Sequence, residues 1–116
     1  MGDPSGERFA RAAEDERRRL AVLPLVVVDG RPARLATTVR ARLLGLALTD
    51  RGRAGPGLLI PGCRSVHTFG MRFALDIAFL DAEGAAISRH RAVPPRRVVA
   101  DRRAAAVLET PAEERR

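Results

Sequence analysis

From His67 onward, apolar and polar positions alternate with period two. His67, Phe69, Met71, Phe73, Leu75, Ile77 and Phe79 fall on one side, with Thr68, Gly70, Arg72, Ala74, Asp76 and Ala78 on the other. That period is the mark of a half-buried β-strand. The run is longer than the usual strand of about five or six residues, so the pattern predicts a bend or bulge near Gly70. With the alternation intact downstream, Arg72 and Asp76 share the polar side of this central strand, together with Thr68.

Shorter patterns flank it. Leu23–Asp29 is a Val-rich apolar run, and Asp29-Gly30 followed by Arg31-Pro32 supplies a turn into a second strand, Ala33–Val39, making a hairpin. Arg40–Leu48 reads as a brief helix with Leu43, Leu44, Ala47 and Leu48 inward, and Thr49–Gly57 has the Gly, Arg and Pro content of a loop. Asp81-Ala82-Glu83-Gly84 closes a hairpin whose return strand runs from Ala85 to about Arg91. Pro94-Pro95 imposes an extended excursion, after which Val98–Ala100 and Ala105–Glu109 are the last strand candidates, although the Ala run also suits a helix. Upstream, Glu7–Leu20 pairs Glu7 with Arg11, Glu14 with Arg18 and Asp15 with Arg19 at helical spacing, so residues 1–20 read as a flexible or helical appendage.

Composition changes this picture in a few respects. The chain has 116 residues, enough for one domain with one modest core, and with no Trp or Tyr its largest core pieces are Phe. The net charge is +7 and all 21 basic residues are Arg, while Lys, Asn and Gln are absent. Such a bias fits a GC-rich bacterium as well as it fits a polyanion-binding protein, and the Arg residues are spread among 14 acidic ones, so nucleic acid is an unlikely partner. One Cys excludes an internal disulfide, and neither a signal-peptide core nor a membrane-length apolar stretch is visible, so the chain reads as soluble and cytoplasmic.

Cys63-Arg64-Ser65-Val66-His67-Thr68-Phe69-Gly70-Met71-Arg72-Phe73-Ala74-Leu75-Asp76, followed by Ile77-Ala78-Phe79-Leu80-Asp81 and Gly84, closely resembles the signature of the domain of unknown function 192 family. Arg42-Leu43-Leu44-Gly45-Leu46 resembles the family's Arg-x-x-Gly-Leu motif, and Val107-Leu108-Glu109 its late Val-Leu-Glu strand. The resemblance spans roughly residues 22 to 112. It implies a small, mostly β domain of sandwich or barrel-like architecture; no biochemical activity is established for the family, so the resemblance supplies a fold and not a function. The family continues past this strand into a Gly-containing segment and a last turn and strand, where this chain has Thr110-Pro111-Ala112 and the charged tail Glu113–Arg116. A shortened last element implies an open sheet edge that pairs with a second copy, the alternative being a monomer.

Three readings of the chemistry follow. The first is a non-catalytic domain that binds a small molecule or a protein partner along the face carrying Thr68, Arg72 and Asp76, with His67 at its margin. Arg72 then clamps a carboxylate or phosphate; the plainer alternative is an Arg72–Asp76 ion pair that only positions the strand. The second is a hydrolase-type enzyme using Cys63 as nucleophile with His67 and Asp76. In a straight strand Cys63 and His67 stand about 13 Å apart, so that reading requires a bend between them. The third is a metal site drawn from Cys63, His67, His90 and Asp76, although no ligand pattern is complete and no cofactor motif is present. The expectation is therefore a mainly β, at most α+β, single domain over residues 21–112. It takes the form of a small antiparallel sandwich or partly open barrel with one or two short helices.

Overall fold

The computed structural model describes residues 23–38, 45–46 and 56–112. The expected helix over residues 7–20, nearly all of that over 40–48 and the tail 113–116 lie outside the described residues. Within them the fold is all strand: β1 Leu25–Val28, β2 Arg31–Leu35, β3 Leu58–Pro61, β4 Ser65–His67, β5 Leu75–Leu80, β6 Ala86–Val93, β7 Val98–Ala100 and β8 Ala106–Pro111. Six of these form one sheet in the order β1-β2-β3-β8-β5-β6, and β4 with β7 forms a second, small one. The large sheet is open rather than a closed barrel, and it is mixed. β2 runs parallel to β3 while every other pair is antiparallel. A parallel pair needs a long crossover, and the chain from Ala36 to Gly57 supplies it.

The two hairpins follow from their turns. Asp29 and Gly30 have φ of 52° and 72°, the doubly left-handed form that matches strand twist, and Asp followed by Gly is among the pairs that adopt it most readily. Pro32, which has no N–H, sits where β2 is paired only with β1, since the β3 ladder begins at Arg34. At the β5–β6 turn, Asp81 Oδ1 accepts from the N–H groups of Glu83 and Ala85, each at 2.9 Å, and Gly84 takes a φ of 85°.

The expected single strand from His67 to Phe79 does not form. β4 ends at His67, residues 68–74 turn through Gly70 at φ 80°, and β5 begins at Leu75. A bend was expected there; its size was not. The chain changes sheets, and the upstream alternation no longer reports which side of β5 a residue occupies.

Both faces of the large sheet are used. On the first, Leu58, Ile60, Leu75, Ile77, Phe79 and Val107 pack against Val66 of β4 and Met71 of the turn, with Val99 of β7 partly buried alongside. Each large apolar side chain buried there contributes about 1.5–3 kcal/mol relative to exposure. On the second face, Ala33, Ala78, Leu80 and Leu108 form a smaller cluster joined by Val28, Leu59, Ala86 and Ala106. Val28 and Ala33 belong to the β1–β2 hairpin, so this hairpin curls over that face. Its tip reaches β6 through an Arg89–Asp29 ion pair of 2.7 Å.

The element that the family places after the Val107-Leu108-Glu109 strand falls on residues outside those described, and the sheet is not closed. β8 lies in the interior, hydrogen-bonded to β3 on one side and β5 on the other. Among the described residues the edges of this sheet belong to β1 and β6.

Candidate functional site

On the second face, where the small residues Ala33 and Ala78 leave room beneath the β1–β2 hairpin, a cleft of about 190 Å³ opens between the hairpin tip and strands β5, β6 and β8. Ala78 and Leu108 form its apolar floor. Its polar lining is Asp29 and Arg31 from the hairpin, Asp76 from β5, Arg89 and Arg91 from β6, and Thr110 from β8. Cross-strand register explains the convergence, because Asp76 stands opposite Thr110, Ala78 opposite both Leu108 and Arg89, and directly opposed residues share a face. Ile77 and His90 also border the cleft, but they alternate to the first face, where Ile77 is core and the His90 ring meets Phe79 edge-on at 5.7 Å.

Asp76 has a definite structural role. The β5–β6 register slips between Leu75 opposite Val93 and Ile77 opposite His90, leaving an extra residue on β6. Ala92 absorbs it at a φ of 51°, a conformation that L-residues other than Gly, Asn and Asp rarely adopt, and the Ala92 N–H donates to Asp76 Oδ1 at 2.8 Å. The carboxylate thus stabilises the bulge beside Arg91. Asp29 is likewise engaged, by Arg89. Three guanidiniums and two carboxylates line the cleft, so the pairing of Asp29 with Arg89 leaves Arg31 and Arg91 as cations with no ion pair among the described residues. Thr110 is 5% exposed, and among the described residues its hydroxyl has no hydrogen-bond partner. Buried hydroxyls are normally satisfied, which makes Thr110 a candidate ligand contact.

Of the residues singled out from the sequence, Asp76 and His90 border this cleft, and the His90 ring turns away to Phe79 on the first face. Thr68 is fully buried in the turn after β4; its hydroxyl donates to Pro94 O at 2.7 Å and accepts from the Arg97 N–H at 2.8 Å. Arg72 is exposed in the bend before β5. The three therefore do not share one strand face. Cys63 is half-buried against the first-face core and its thiol donates to Ser65 O at 3.1 Å, while His67 is exposed on β4. β4 covers the first face and Asp76 lies on the second, so the sheet separates Cys63 and His67 from Asp76. Among the described residues no three His, Cys, Asp or Glu side chains are grouped as metal ligands. The sequence reading missed Arg31, Arg89, Arg91 and Thr110, because it sought the site along one strand and these residues come together only through pairing of separate strands. The signal available was the Arg89-His90-Arg91 alternation in the return strand, two cations on one side of a β-strand.

A second polar group lies in the first-face core. Glu109 is 3% exposed, and its Oε2 accepts from the Leu46 N–H at 3.3 Å. Gly45, at φ 55°, lies against the same carboxylate, and a Cβ there would stand 2.7 Å from Oε2. The Gly45-Leu46 turn and the Val107-Leu108-Glu109 strand, both singled out in the sequence, are thus two halves of one buried contact.

The profile of the DUF192 family, described as an uncharacterized ACR family, matches residues 29–116. The chain is a DUF192 domain. The match includes the strands of the cleft and the whole β4–β5 turn. No curated protein matches the chain. Two solved structures share the fold of this DUF192 domain. One is a Sinorhizobium meliloti protein described as a candidate transcription regulator, 25% identical, with a TM-score of 0.60 over 76% of this chain and 77% of its own. The other is a Novosphingobium aromaticivorans protein of unknown function, 18% identical, with a TM-score of 0.59 over 81% of this chain and 84% of its own. No helix among the described residues is long and apolar enough to cross a membrane.

Proposed function

We propose that this DUF192 domain is a non-catalytic binding module for a small carboxylate- or phosphate-bearing ligand, held in the cleft beneath the β1–β2 hairpin. One observation carries the reading: Arg31 and Arg91 border an apolar-floored cleft whose own carboxylates are already engaged. A planar guanidinium pair is suited to bidentate capture of an anion, and a half-enclosed site strengthens such contacts over those in open water. The Thr110 hydroxyl adds a neutral donor on the opposite wall. A volume of about 190 Å³ suits a small anion rather than a large cofactor.

The test is an NMR titration of backbone amides with citrate and, separately, inorganic phosphate. Shifts confined to the cleft strands around residues 76–78, 89–91 and 108–110 are expected. Arg31→Ala and Arg91→Ala should each weaken binding by about tenfold or more, the scale of a lost charge-assisted hydrogen bond. Shifts scattered over the Arg-rich surface and unchanged in both variants, or no shift with either anion up to about 10 mM, would overturn the proposal; that limit corresponds to a binding free energy under 3 kcal/mol.

A further inference from the structure

The buried Thr68 does more than end β4. Besides its two hydroxyl contacts, its N–H donates to Arg97 O at 2.8 Å and its carbonyl accepts from the Arg96 N–H at 3.3 Å. With a longer contact from the hydroxyl to Arg97 O at 3.5 Å, five hydrogen bonds from one residue therefore fix the Pro94–Arg97 loop. Arg96 is held at a φ of 67°, a backbone state that a non-Gly residue keeps only where its surroundings impose it, and such states concentrate at functional sites. Arg96 and Arg97 are both exposed, and among the described residues neither takes part in an ion pair.

Beside this loop lie the exposed side chains of the small sheet. Val98 is 64% exposed and stands opposite His67 in the β4–β7 ladder. Phe69 is 52% exposed, and its ring centroid is 5.9 Å from that of His67. Val66 and Val99 take the inward positions of the same ladder, so Val98 and His67 are left facing outward. An aromatic and a β-branched side chain framed by rigidly presented Arg residues is the composition of an interaction surface rather than of a solvated one. Asp101, at the far end of β7, is already held by Arg103 and Ser88. Arg96 and Arg97 therefore give the patch a positive character.

We infer that the β4–β7 face, through Phe69, Val98, Arg96 and Arg97, docks an acidic segment of a protein partner that also offers an apolar side chain. Charge complementarity selects the acidic character, and the exposed Phe69–Val98 pair selects the apolar anchor. The surface lies on the opposite side of the large sheet from the anion cleft and is independent of it.

The test uses fluorescence polarisation with three labelled probes: a short peptide alternating Glu and Leu, the same peptide with Lys for Glu, and an oligothymidylate. The acidic peptide should bind, and the basic one should not. An R96E/R97E double variant should weaken that binding by at least about tenfold, as should Phe69→Ala. Thr68→Val removes no surface residue but frees the loop, so it should weaken binding several-fold while thermal melting confirms that the protein is still folded. The proposal is overturned if the acidic peptide fails to bind, if it binds R96E/R97E equally well, or if the oligothymidylate binds more tightly than the peptide.

Discussion

The two faces of the six-stranded sheet share strands but not design. β5 gives Leu75, Ile77 and Phe79 to the first face and Asp76, Ala78 and Leu80 to the second. The first face is closed by a second layer, and its large side chains are almost completely buried. The second is covered only by a curled hairpin over small residues, and where that cover stops, charged groups line a cleft. One face supplies the stability that lets the other stay partly open. Asp76 stands where the change occurs, at the start of β5, just before the run in which both faces of the strand are buried.

Substitutions that separate these roles should differ in scale. Phe79→Ala removes the largest fully buried side chain and should cost about 3–5 kcal/mol in urea or thermal unfolding. A loss below 1 kcal/mol would mean that the first face is not the main core. Asp76→Ala deletes the acceptor for the strained Ala92 and should cost about 1–3 kcal/mol. Ala92→Gly should offset part of that loss, since Gly accepts the same φ without strain. If the two changes simply add, the bulge is not what Asp76 supports. Arg89→Ala breaks the ion pair to the hairpin tip, an exposed contact, and unfolding should report no more than about 1 kcal/mol. Its clearer effect should be faster amide exchange in β1, the strand tied down at its tip.

The smallest expected effect is one of pH. Asp101 is held well below the usual carboxylate range, first by the Arg103 side chain, then by the Ser88 hydroxyl and the Arg103 N–H. A carboxyl whose pKa is depressed on folding adds stability that is present above its ordinary value near 4 and is lost as the pH falls below it. Asp101→Asn should therefore lower stability at neutral pH and flatten the acid limb of the stability curve. An acid limb identical to wild type would show that Asp101 contributes nothing to it.

Much of the fold was legible because its signals are local. Asp29-Gly30 and Asp81–Gly84 fixed both hairpins, and the β6, β7 and β8 spans fall within two residues of those expected. The central run misled for a physical reason: Phe69 and Phe73 fit the apolar phase, but Phe69 is exposed, and nothing in an alternating pattern reports that the chain leaves one sheet for another. The site was less legible. Thr68 was marked as a polar residue on a strand face and is instead a buried latch, because its role depends on Pro94 and Arg97, residues distant in sequence. Arg31, Arg91 and Thr110 lie on three separate strands, and only the register between those strands brings them to one cleft.

The interior position of β8 also sets an order of events during synthesis. β3 and β5 do not pair with each other; each pairs with β8, which is made after both. Without Ala106–Pro111 the pairing of the large sheet reduces to a β1-β2-β3 ribbon and a β5-β6 hairpin, each with a bare edge. Their joining awaits the strand that both require. Non-local closure of this kind slows folding and prolongs the exposure of edges that pair with neighbouring chains. A chain truncated before Ala106 should therefore be a chaperone client, and restoring Ala106–Pro111 should end that dependence.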